Sequence, residues 1–184
     1  MVQTLQSYIQ NPYVYNFEEM NDLVDFYEIQ TSFMNPCNPK LYNGCSQITK
    51  AEPNDNHMLG MEEVAEYLKS TKICLTKITY EIELAPVDAS SPNTVNTYAK
   101  VCQGKLNISN SCVQNTINFF DKGTFALNQD SGVVVRYLDL DDINNDCSCS
   151  SAFMGFQNIV AGLRKGSQTP CTKFDIQSDQ YLYK

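Results

Sequence analysis

The chain has no tryptophan, one histidine (His57) and a shortage of positive charge: 13 Lys and Arg stand against 21 Asp and Glu in 184 residues, a formal charge of −8. That balance excludes a nucleic-acid groove and an anionic membrane surface, which need a concentrated positive field. Lys and Arg never cluster, and the densest pair, Arg164-Lys165, reads as favourable cation placement at a helix C-terminus. No window approaches the roughly 18 apolar residues of a membrane span, so no membrane insertion is expected. The first eight residues lack the basic region and apolar run of a signal peptide.

Several motifs are missing as well. Without a Cys-x2-Cys, neither a zinc knuckle nor a thioredoxin-type redox pair is available. His57 has no second histidine to share a metal and no nucleophile motif beside it, so it reads as a loop residue. There is no Gly-rich phosphate loop; Gly155 and Gly162 lie seven apart in a helical pattern, where small residues permit close packing. No catalytic residue and no cofactor are expected, a calcium ion apart.

What the chain does have is cysteine: Cys37, Cys45, Cys74, Cys102, Cys112, Cys147, Cys149 and Cys171. An even count without metal spacing suits a disulfide framework in an oxidising compartment, hence an extracellular or cell-surface location for a chain whose leader has been removed. Cys147 and Cys149 are too close to bond to each other without strain and should reach two different partners. Cys37 and Cys45 flank a Pro-, Asn- and Gly-rich excursion, and local pairing is expected there. Cys171 should tie down the tail.

The length fits one domain, 1–184, with residues 1–15 and 172–184 as extended arms. Apolar periodicity predicts helices over 16–30, 61–70, 111–122 and 152–165, the third ended by Gly123 and the last capped by Ser150 or Ser151. Period-two alternation predicts a strand within 73–84 whose polar face, Thr79, Glu81 and Glu83, is wet; residues 94–101 fit either an antiparallel partner strand, favoured by their Thr, Val and Tyr content, or a helix begun at Ser91-Pro92. Residues 124–127 and 133–140 read as a hairpin around a polar linker. The expected class is α+β, an antiparallel sheet with several amphipathic helices.

Asp139, Asp141, Asp142, Asn144 and Asp146 crowd oxygen ligands into one loop, a calcium candidate that lacks the Gly and Glu of an EF-hand. Asn107-Ile108-Ser109 is an N-glycosylation acceptor in a loop position. The carboxylate pairs Glu62 with Glu63 and Glu81 with Glu83 are explained by a helix start and a solvated strand face. By elimination the expected function is a non-enzymatic extracellular structural or interaction protein, a self-assembling subunit of a surface filament, coat or matrix. Its partners would be proteins, copies of itself included, engaged through Tyr-rich ends such as Tyr8, Tyr13, Tyr15, Tyr181 and Tyr183. The alternatives are an accessory subunit of a larger complex, as in the mitochondrial intermembrane space, and a secreted enzyme without a recognisable motif.

Overall fold

The computed structural model describes residues 15–39, 46–50, 58–91 and 94–175. Three parallel strands form its main sheet in the order β1-β2-β5: β1 is Tyr27–Ile29, β2 Ile78–Glu83 and β5 Gly132–Arg136. Tyr27 registers with Ile78, and Thr79 to Glu83 run beside Gly132 to Arg136. The antiparallel pairing is confined to two short strands, β3 (Val87–Asp88) and β4 (Ser111–Cys112). The chain is therefore a disulfide-containing mix of helix and strand, as expected, but its principal sheet is parallel, not antiparallel.

Local chemistry explains the change. Residues 124–127, read as a strand, are the last turns of a helix, Thr116–Asn128; in its capping box the Asn115 side chain accepts from the Asn118 N–H at 2.8 Å and the Asn118 side chain accepts from the Asn115 N–H at 3.0 Å. The supposed hairpin is thus a helix-to-strand connection, and the run Val133-Val134-Val135 is the near-continuous apolar sequence of a parallel strand. Ser111 and Cys112, expected to open that helix, pair with β3 instead. Of the predicted strand 94–101, only Val95 makes a bridge, to Val87, and Tyr98–Cys102 is a short helix capped by Thr97.

We number the helices α1 (Phe17–Met20), α2 (Met61–Lys69), α3 (Tyr98–Cys102), α4 (Thr116–Asn128) and α5 (Met154–Leu163). α1 is only the start of the helix expected over 16–30. Lys77 Nζ donates to the carbonyls of Asn21 at 2.6 Å and Val24 at 2.8 Å, and the Asn21 side chain holds the backbone of Lys72 and Cys74. Carbonyls that a continuing helix would spend on its own ladder go to a lysine, and the chain straightens into β1. α2 forms as the pattern predicts, with Met61, Val64, Ala65 and Leu68 buried and Glu62 and Glu63 in its first turn.

One face of the sheet carries Tyr80, Ile82, Val133 and Val135 against α4 and α5. Those two helices touch backbone to backbone: a Cβ on Gly123 would lie 2.1 Å from the Ile159 carbonyl oxygen, and one on Gly162 would lie 2.2 Å from that of Phe120. Gly162 packs as its spacing suggested. Gly123 does not end a helix but sits inside α4.

Among the described residues three disulfides brace the fold: Cys37–Cys112, Cys102–Cys147 and Cys149–Cys171. The two cysteines of the Cys-Ser-Cys do reach different partners, and Cys171 does anchor its segment. Cys37 closes on β4 rather than on Cys45, which lies outside the described residues along with His57. Cys74 carries a free thiol, so complete pairing is not realised. Residues 172–175, expected in an arm, are packed: Phe174 stacks on Tyr98 with ring centroids 4.0 Å apart, and the Asp175 carboxylate accepts from the Thr116 and Cys171 N–H groups at 2.7 and 2.9 Å.

Candidate functional site at the strand ends

In an open α/β sheet, ligands gather at the carboxyl ends of the strands. Because β2 alternates, Glu81 and Glu83 point to the face opposite α4 and α5, with Arg136 registered beside Glu83. The sequence reading made this a wet face, yet Glu81 and Glu83 are 3% and 1% exposed. Loops folded over the strand ends cover them. Thr31 donates to the Glu81 carbonyl at 2.6 Å, the Ser32 hydroxyl bonds to the Glu81 carboxylate, and Arg136 Nη1 lies 3.4 Å from Glu81 Oε1. Burial pushes the Glu81 carboxyl above its ordinary range; a hydrogen bond with Glu28 and that residue's charge push the same way, against the pull of Ser32 and Arg136. The exposed Glu28 thus stands as a second acid near the buried Glu81.

Glu83 is held differently. Ser46 lies 2.6 Å from Glu83 Oε2, Gln114 Nε2 donates to Oε1 at 3.0 Å, and both contact the 1%-exposed Lys122, whose Nζ donates to Ser46 at 2.6 Å and to Gln114 at 2.5 Å. A buried acid and a buried base are joined through two neutral side chains, which satisfies both.

Just past the strand ends stand two aromatic residues in the left-handed region, Phe33 at φ 54° after β1 and Tyr137 at φ 61° after β5. Bulky residues seldom adopt that conformation, and such outliers gather at binding sites. Their rings meet edge to face, centroids 6.0 Å apart, and the Arg136 guanidinium sits 5.5 Å from the Tyr137 ring centre. Both rings are half-buried. The strand ends therefore present an aromatic pair, a cation and an acid pair, a surface suited to polar ligands with apolar faces.

The raised Glu81 carboxyl has a measurable consequence. A folded-state value above the unfolded one, near 4.5, means the group supports the fold fully below that pH and loses its contribution as pH rises through the folded value. Glu81→Gln removes this term while keeping the shape. Its stability relative to the parent is expected to climb between pH 4 and 8, read from urea midpoints; a constant difference would show that Glu81 titrates normally.

The calcium candidates are brought together unevenly. Asp141 accepts from the N–H groups of Asp142, Gly155 and Phe156, and so caps α5, where Phe153 rather than a serine occupies the N-cap. Asp142 accepts from Asp146 and Cys147. Asp139 and Asn144 are exposed, and the Asp146 side chain takes Gln103 at 3.0 Å. Cys147 and Cys149, close to Asp142, are both consumed in disulfides. Asn107 is exposed, its side chain accepting from Ser109 at 2.9 Å. Glu62 and Glu63 serve the α2 start, Glu62 with Thr49 and Glu63 with the Gly60 N–H and Lys50.

Sequence reasoning missed Glu28, Ser32, Phe33, Arg136 and Tyr137. The one signal for them was Val133-Val134-Val135, which marks a parallel strand whose end deserves inspection. Among the described residues no helix is long and apolar enough to cross a membrane. By sequence, no family model and no curated protein matches the chain. By structure, it is similar over 95% of its length to catalytic domain 2 of a Group II chitinase from Ostrinia furnacalis, in a mutant form complexed with penta-N-acetylchitooctaose, (NAG)5 (TM-score 0.69, 13% identity). A second structure of that domain aligns with 89% of the chain at a TM-score of 0.66 and 13% identity. The chain spans 57% and 55% of those two chains, and at this identity the likeness shows a shared fold.

Proposed function

We propose that the chain is a secreted, disulfide-braced saccharide-binding protein that recognises an N-acetylated amino-sugar oligomer at its strand ends without cleaving it. The observation that carries this reading is the Phe33, Arg136 and Tyr137 cluster beside the Glu28–Glu81 pair. Sugar rings have apolar faces that lie on aromatic side chains and polar rims that bond to acids and guanidinium groups. The chitinase domain of like fold, held with (NAG)5, supports the choice of sugar.

Binding is favoured over hydrolysis because Glu81, the carboxyl raised above its ordinary range by burial, is 3% exposed and already engaged by Ser32 and Arg136. A general acid must reach the proton-accepting oxygen of its substrate, and a carboxyl so covered does not.

The test is calorimetric titration with the N-acetylchitooligosaccharide pentamer on the parent and on Tyr137→Gly, which removes the ring and suits the left-handed backbone. Burial of one aromatic face is worth enough to weaken binding about tenfold in the variant. No binding by the parent, equal binding by both, or released reducing ends would each reject the proposal.

The self-assembly reading retains one observation. Leu23 and Phe26, 81% and 58% exposed, precede β1, whose outer edge has no strand partner among the described residues. A monomer in sedimentation across the micromolar range would remove it.

A further inference from the structure

Residues Ser46–Lys50 lie along the start of α2: the Gln47 carbonyl accepts from the Met61 N–H at 2.9 Å, and the Ile48 carbonyl from Glu62 at 3.1 Å. A cleft of about 190 Å³ is lined by Gln47, Ile48 and Thr49 together with Asn118, Asp121 and Lys122 of α4, three positions that helical spacing puts on one face. Gln47 is 1% exposed, and its Oε1 and Nε2 are both buried with no hydrogen-bond partner among the described residues. A native protein rarely leaves such an amide unmatched, because each atom has given up its water for nothing. Gln47 is itself one of the residues that line the cleft.

We propose that this cleft binds a small neutral molecule carrying a carboxamide, with Gln47 as its recognition group. A carboxamide sets an N–H beside a C=O, the complement of an unused Oε1 beside an unused Nε2. An anion would satisfy Nε2 but face Oε1, and a cation would satisfy Oε1 but face the Nε2 donor. Asn118 and Thr49 supply further neutral polar groups beside one acid, Asp121. The cleft falls below the roughly 300 Å³ at which drug-sized pockets begin, so it suits a ligand of a few heavy atoms. This site is separate from the aromatic cluster and does not rest on the saccharide reading.

The experiment is nitrogen-15 NMR of the full chain titrated with acetamide, with acetate and methylammonium as charged controls. The Gln47 side-chain NH₂ resonances should shift saturably in the millimolar range with acetamide alone. Gln47→Met should abolish the acetamide-dependent shifts of neighbouring cleft amides such as Asn118 while raising the urea midpoint, since it removes two unmatched polar atoms. A Gln47 signal indifferent to acetamide, as expected of a cleft holding only water, would overturn the proposal. So would an equal response to acetate, or an unchanged acetamide response elsewhere in the Gln47→Met variant.

Discussion

Gly123→Ala and Gly162→Ala are each expected to destabilise the chain by at least about 3 kcal/mol, the upper end of what overpacking usually costs. In an unpacked helix the same change would help by roughly 1 kcal/mol, because alanine is the better helix former. Here the added methyl would sit 2.1 or 2.2 Å from a carbonyl oxygen of the facing helix, and backbone cannot turn aside as a side chain can. α4 and α5 would have to separate along their whole contact, and the sheet face they cover would open with them. Gly104→Ala is the control. Nothing lies within 4 Å of a Cβ at that position, so only its φ of +65° is penalised, by about 1 kcal/mol. Urea midpoints of the three variants separate the cases, and near-equal values would show that α4 and α5 are not in backbone contact.

The second large effect concerns the bridges of Cys147 and Cys149. Cys102–Cys147 joins residues 45 apart, and by the chain-entropy relation its loss, as Cys102→Ser with Cys147→Ala, is expected to cost about 4 kcal/mol. Cys149–Cys171, at a separation of 22, is expected to contribute about 3 kcal/mol in the same way. A domain of this size is typically stable by about 5–15 kcal/mol, so loss of both takes most of the margin. Reductant alone should therefore lower the thermal midpoint sharply. A midpoint indifferent to reductant would mean that packing around Tyr98, Phe119 and Phe174 suffices without the bridges.

How much of this was legible depends on where the deciding atoms lay. α2 was read correctly because its apolar spacing and first-turn acids are local. The cysteine pairings were legible only so far as geometry limits neighbours: Cys147 and Cys149 could not join each other, but nothing in the sequence says that Cys37 reaches Cys112 across 75 residues. The helix over 16–30 failed because its interruption comes from Lys77, a residue distant in sequence that takes its carbonyls. Glu81 and Glu83 were misplaced for a related reason. Alternation reports two faces, but not that Ser32, Ser46 and Gln114 are brought in to cover one of them. The aromatic cluster was invisible because it depends on two backbone conformations that Phe and Tyr seldom take.

Cys147-Ser148-Cys149 sets a problem for oxidative maturation. Two sulfurs separated by one residue must each choose between Cys102 and Cys171, and the Ser148 between them is held at φ 55°. Cys74 is a further thiol, acidified in the folded chain chiefly by the hydrogen bond with Thr76 and further by Lys77, and thiolate character is what attack on a disulfide requires. A free thiol carried by the chain itself is chemically able to reshuffle an incorrect bridge, and the yield of correctly folded material is expected to fall in Cys74→Ser if it does so.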